Sequence, residues 1–151
     1  MDMNPAGAAA GGLKEPVAPL RVDCRLTRAQ RLTRSALFRE TYEQGRSYTG
    51  RLMVCWLREG PDAALRLGVV TSRKVGGAVA RVRARRRIRE AWRRCRPWFK
   101  GGVDVVIVAR RAITEADGPA MVKELLWLAG RLGFLEGSRE TVLEAVLERT
   151  E

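Results

Sequence analysis

The amino-acid sequence predicts a single mixed α/β (α+β) domain, and three observations carry that expectation. Segments rich in β-branched and aromatic residues alternate with segments whose apolar residues recur at helical spacing. Val105 to Ala109 is an uninterrupted apolar run of five residues, the mark of a buried strand and far short of a membrane span. The 151 residues suffice for one domain burying roughly two-thirds of its unfolded surface, so folding needs neither disulfides nor a metal.

Residues 1 to 20 hold eleven Ala, Gly or Pro and only three charges. That composition buries too little apolar surface to offset the entropy of ordering, and a disordered tail is expected there. Ser35, a candidate N-cap, opens a helix through Gln44 that stops at Gly45, and Phe38 and Tyr42 share one of its faces. Tyr48 to Arg58 is rich in β-formers and long enough for two strands. The loop Glu59-Gly60-Pro61-Asp62 follows, then another strand run from Leu65 to Ser72.

Arg81 to Cys95 contains neither Gly nor Pro and is closed by Pro97, so a helix is expected. Val103 to Ala109 reads as a short strand behind Gly101-Gly102. Asp117-Gly118-Pro119 opens a helix to about Gly130. Residues 136 to 151 form an acidic extension in which Ser138 to Arg149 sets Val142, Leu143, Val146 and Leu147 at helical spacing.

The net charge of +12 is unevenly placed. Arg21 to Arg111 carries 24 basic against 7 acidic residues, whereas 112 to 151 carries 4 against 8. Arg73 to Arg96 alone supplies eleven basic residues and the single acid Glu90, a concentrated local field. On a helical wheel, Ala84, Ile88, Ala91, Trp92 and Cys95 form one apolar seam. Arg85, Arg86, Arg89 and Arg93 face away from it, with Arg83, Arg87 and Arg94 on the other flank. Such a helix tolerates like-charge repulsion at i,i+3 and i,i+4, where a merely solvated face would intersperse Glu. A polyanionic partner is the simpler explanation, and the use of Arg alone favours bidentate phosphate contacts.

Charge does not distinguish DNA from RNA. Phe38, Tyr42, Tyr48 and Trp56, clustered ahead of the basic helix, suit stacking of unpaired bases; each taken alone is equally compatible with ordinary core packing. The absence of His removes Ser-His-Asp and Cys-His nucleophile arrangements. Cys24, Cys55 and Cys95 form no C-x-x-C pair, which argues against structural zinc and suits a reducing cytoplasm. No export signal is visible, and a cytoplasmic location is expected.

Taken in order, three segments resemble the protein subunit of bacterial ribonuclease P. RKVGGAVARVRARRRIREAWRR is similar to that family's K-x-G-x-A-V turn leading into an R-N-R-x-K-R helix. RLTRSALFRETYEQGRSY is similar to its opening basic segment, helix and Gly, and GGVDVVIVAR to its G-x-D-I-V-V-I-A-R strand. The resemblance covers about Arg25 to Leu135, giving an RNA-binding domain over residues 21–135 followed by the acidic extension.

The resemblance implies an αβββαβα domain with a mixed four-stranded sheet and a left-handed β-α-β crossover, against the usual hand. It implies binding to a large catalytic RNA and help in removing the 5′ leader of precursor tRNA, the RNA holding the catalytic Mg²⁺ and no obligate protein partner being required. It assigns contacts with the catalytic RNA to Arg81, Arg83, Arg85, Arg86 and Arg89. It assigns a leader cleft to Phe38, Tyr42 and Trp56, with Lys74 at the rim and Trp56 where the family often has Tyr. Val82 departs from the pattern, standing where the family has Asn and roughly 140° from the apolar seam; Gly77 departs too. A general or ribosome-associated RNA-binding protein is the alternative, and a nucleoid protein on duplex DNA a third.

Overall fold

The computed structural model describes residues 26–150; the tail expected over residues 1–20 lies outside them. After a 3-10 turn at Arg28–Gln30, helix α1 (Ser35–Gln44) leads into strands β1 (Arg46–Thr49), β2 (Met53–Glu59) and β3 (Leu67–Val70). Helix α2 (Ala78–Cys95), strand β4 (Val103–Ala109), helix α3 (Gly118–Leu132) and helix α4 (Arg139–Thr150) complete the chain. The order is the expected αβββαβα, with α4 inside the acidic extension.

The strands form one mixed sheet in the order β1-β2-β4-β3. β2 pairs antiparallel with β1 and β4, while β3 and β4 run parallel and are joined through α2. β4 lies inside the sheet, so both faces are covered to some degree and its sequence is apolar almost throughout.

Side chains alternate between two faces of unequal cover. Met53, Cys55 and Leu57 of β2, with Val103, Val105, Ile107 and Ala109 of β4, join the main core beneath α2 and α3. The seam of α2, Ala84, Ile88, Ala91, Trp92 and Cys95, is buried there as the wheel predicts. Trp92, Phe99 and Phe134 pack as an aromatic group, with Phe99 4.9 Å from Trp92 and 5.0 Å from Phe134 between centroids. Val142 and Val146 of α4 lie in the same core. The Glu124 carboxylate of α3 accepts hydrogen bonds from the backbone N–H groups of Arg51, Leu52 and Met53 at 3.0, 2.8 and 2.9 Å, fixing the β1–β2 turn.

The other face carries Trp56, Val106 and Gly68 in one row across three strands and Val54, Val108 and Val70 in the next. Among the described helices α1 crosses it, burying Leu37 and Thr41. Two departures from the sequence expectation concern helix starts. Ser35 is the first residue of α1, and the cap position falls on Arg34. α2 begins at Ala78, three residues before Arg81, because Gly77 occupies its cap.

Candidate nucleic-acid interface

Helix α1 is fixed by its C-terminal half. Gln44 donates to the Glu59 carbonyl at 2.9 Å and accepts from the Glu59 N–H at 2.8 Å, and Gly45 closes the helix with φ 70°, the left-handed region where glycine is at ease. Glu40 lies 3.3 Å from Arg58, which is buried under the helix. Arg58 donates to Asp104 at 2.7 Å and to Asp62 at 2.8 Å; Arg66 donates from Nε and Nη2 to the two Asp104 oxygens at 3.0 and 2.8 Å. Burial pushes the Asp104 carboxyl up, but the Arg66 guanidinium and the N–H groups of Arg66 and Ala64 outweigh it and hold the group below its usual range.

With α1 clamped at that end, the other part of the sheet face stays half open. Phe38, Trp56, Val70 and Val108 are only partly buried around Leu32, Leu37 and Val106. Tyr42 is 39% exposed and meets Trp56 edge to face, centroids 5.0 Å apart. Phe38 sits directly over β3: a Cβ added at Gly68 would lie 2.5 Å from Phe38 Cζ. The three expected cleft aromatics are thus brought to one surface. Lys74 is exposed in the turn after β3, its N–H donating to Ser72 Oγ at 3.2 Å, and no described contact ties it to the aromatics. Tyr48 lies elsewhere, packed edge-on against Trp127 and beneath Arg131.

The second surface follows the outer edge of β3. Arg31 forms a parallel bridge to Leu67, and the Leu32 N–H donates to the Leu67 carbonyl at 2.8 Å. Between this segment and α2 runs a groove of about 550 Å³ lined by Leu26, Arg31, Val82, Arg85, Arg86, Arg89, Glu90 and Arg93. Arg85 is tethered to the sheet through the Thr71 hydroxyl at 2.7 Å. Partial burial, then the nearby Arg31 and Arg85 cations, push the Arg89 guanidinium below its ordinary value. Glu90, the single acid in the lining, is paired with Arg93 and lies 4.0 Å from Arg94.

The five candidate arginines therefore separate. Arg85, Arg86 and Arg89 share the groove. Arg83 is exposed outside its lining, on the flank where Arg87 donates to the Ala116 carbonyl, and Arg81 is half-buried in the first turn of α2. Arg31 and Leu26 also belong to the groove; Arg31 heads the basic segment RLTRSALFRETYEQGRSY, but the Arg31–Leu67 bridge that places it beside α2 is long-range. Val82 is 45% exposed and lines the groove.

Burial pushes the Cys55 and Cys95 thiols far above their usual range, leaving both without nucleophilic character. Among the described residues no group of three or more His, Cys, Asp or Glu side chains could hold a metal ion, and no helix is long and apolar enough to cross a membrane. The chemistry available is thus phosphate neutralisation along the groove and base stacking on the half-open sheet face.

A family model described as Ribonuclease P matches residues 26–133. The ribonuclease P protein component of Chloroflexus aurantiacus is 42% identical over 85 residues, 56% of this chain and 63% of that relative, so the chain spans just under two thirds of its length. That of Symbiobacterium thermophilum is 35% identical over 112 residues, covering 74% of this chain and 97% of the relative. The solved ribonuclease P protein of Thermotoga maritima matches 67% of this chain and 96% of its own with a TM-score of 0.61 at 30% identity. The Staphylococcus aureus protein shares the fold, with a TM-score of 0.64 at 24% identity over 72% of this chain and 99% of its own.

Proposed function

Because the chain belongs to the ribonuclease P protein family, we propose that it is the protein subunit of a ribonucleoprotein endonuclease that removes the 5′ leader from precursor tRNA. The carrying observation is the gathering of Arg31, Arg85, Arg86 and Arg89 along one groove beside a sheet face that leaves Phe38, Tyr42 and Trp56 available. In this reading the groove arginines neutralise phosphates of the catalytic RNA, each contact releasing condensed counterions, and Arg81 and Arg83 extend that contact from the first turns of α2.

The half-open face takes the single-stranded leader. Its aromatics stack bases irrespective of sequence, as a subunit serving many precursors requires, and Lys74 meets the leader backbone at the rim. The protein contributes no catalytic group. In this reading the catalytic Mg²⁺ ions are held mainly by the RNA, and the protein acts by holding substrate and lowering phosphate repulsion. The chain then works in the cytoplasm with the RNA and precursor tRNA as partners, and with no need for a membrane or a further protein.

The test compares substrates on the holoenzyme assembled with a bacterial ribonuclease P RNA. Leader-bearing precursor binds more tightly than mature tRNA when this protein is present, and the preference shrinks when the RNA acts alone. Equal affinity for both substrates with the protein bound would contradict the leader assignment.

A further inference from the structure

The polar Asn that the resemblance leads one to expect at position 82 is replaced by Val82, and the structure gives this exchange a consequence. Val82 is 45% exposed, and Val79, three residues earlier and so on the same side of α2, is 73% exposed. With Tyr42 they are the most exposed large apolar side chains among the described residues. Isolated apolar residues on a surface need no explanation. Two β-branched residues one turn apart, beside a run of arginines, are different, because β-branched side chains also lower helix propensity and so bring no local benefit.

Leu26 supplies a third apolar group, in the lining of the same groove as Val82. The groove thus combines two apolar side chains, Leu26 and Val82, with Arg31, Arg85, Arg86 and Arg89. Such a surface is complementary to a nucleotide strand: phosphates meet the guanidinium groups, and a ribose or base face meets the aliphatic carbons. An acidic protein partner would match the cations too, but a rim whose cations are all arginine, with its single acid Glu90 paired to Arg93, and the flanking aromatic face favour RNA.

We propose that Leu26, Val79 and Val82 form an apolar seat for a nucleoside of the RNA held by α2, giving the complex an affinity component that does not depend on salt. The inference rests on the RNA-binding function proposed above. Phosphate contacts set the slope of log affinity against log salt concentration. Apolar burial shifts the whole line without tilting it.

The experiment measures binding of the full chain to a bacterial ribonuclease P RNA over a salt series, with Val82→Ser, Val79→Ser/Val82→Ser and Arg86→Ala variants. Circular dichroism checks folding, and Val82→Ala, which raises helix propensity, guards against a helix defect. Val82→Ser weakens binding roughly fivefold at every salt concentration, on the scale of burying part of a valine, with Val82→Ala between it and wild type and the slope unchanged; the double variant loses more. Unchanged affinity in the serine variants, while wild type binds and Arg86→Ala lowers the slope, overturns the apolar seat and leaves the RNA-binding function standing. Wild type that fails to bind the RNA overturns both.

Discussion

Tyr42 and Trp56 meet edge to face across the junction of α1 and β2, with 5.0 Å between centroids and 85° between ring planes. One ring is thereby held upright against the other, and Tyr42 keeps 39% of its surface exposed. Tyr42→Ala is expected to weaken binding of leader-bearing precursor by about 1–3 kcal/mol, the scale of stacking on an aromatic side chain, with little effect on thermal stability. Phe38→Ala weakens it similarly but also destabilises the fold, since Phe38 is half-buried over β3. Equal losses for mature tRNA would show that the aromatics do not contact the leader.

Gly68 lets Phe38 approach the sheet. A Cβ there would lie 2.5 Å from Phe38 Cζ and 3.4 Å from Leu32 Cβ, so Gly68→Ala must displace the ring into the open face. The expected cost is about 1–3 kcal/mol of stability, as for other overpacked sites, together with weaker leader binding. Denaturant unfolding measures the first and substrate titration the second.

Arg31 stands apart from α2 in sequence yet lines the same groove as Arg89, whose guanidinium is pushed below its ordinary value by partial burial and then by the Arg31 and Arg85 cations. Arg31→Ala and Arg86→Ala are each expected to reduce the salt slope of binding to the catalytic RNA by about 0.7–0.9, the change that follows when a single phosphate is no longer neutralised. A salt series by filter binding resolves a change of that size.

Asp104 joins β4 to Arg58 and Arg66. Its folded-state pKa lies below the unfolded value of about 3.9, so its contribution is complete above that value and is lost as pH falls through the folded one. Stability is therefore expected to drop on acidification below about pH 4. Asp104→Asn should destabilise the fold at neutral pH by less than the ~3–5 kcal/mol of a buried cation left wholly unpaired, because Arg58 keeps Asp62 and Glu40, and should show a weaker acid dependence. Thermal unfolding over a pH series provides the measurement.

Those residues also show where sequence reading succeeds. β4 has the expected bounds, Val103–Ala109, because an interior strand buried on two faces is apolar along its length. The seam of α2 was legible because a single helical period decides which residues point inward, and Tyr48 to Arg58 divides into two strands at the Gly50–Leu52 turn. Asp104 and Arg58 were not legible as a buried pair. Their charges suit an exposed surface, and only the cross-strand register of Arg58 with Asp104 shows that they neutralise each other. The place of Arg31 in the groove was not legible for the same reason: its segment reads as basic, but its position beside α2 depends on a pairing with β3 distant in sequence.

Above all, this chain is expected to turn a catalytic RNA into an effective processing enzyme. The most direct measurement mixes the purified protein with a bacterial ribonuclease P RNA at low Mg²⁺ and follows cleavage of precursor tRNA. The expected result is cleavage at the mature 5′ end that depends on the protein and disappears when Arg31, Arg85, Arg86 and Arg89 are all replaced by Ala. No stimulation by the wild-type protein, with tight binding to duplex DNA instead, would contradict it.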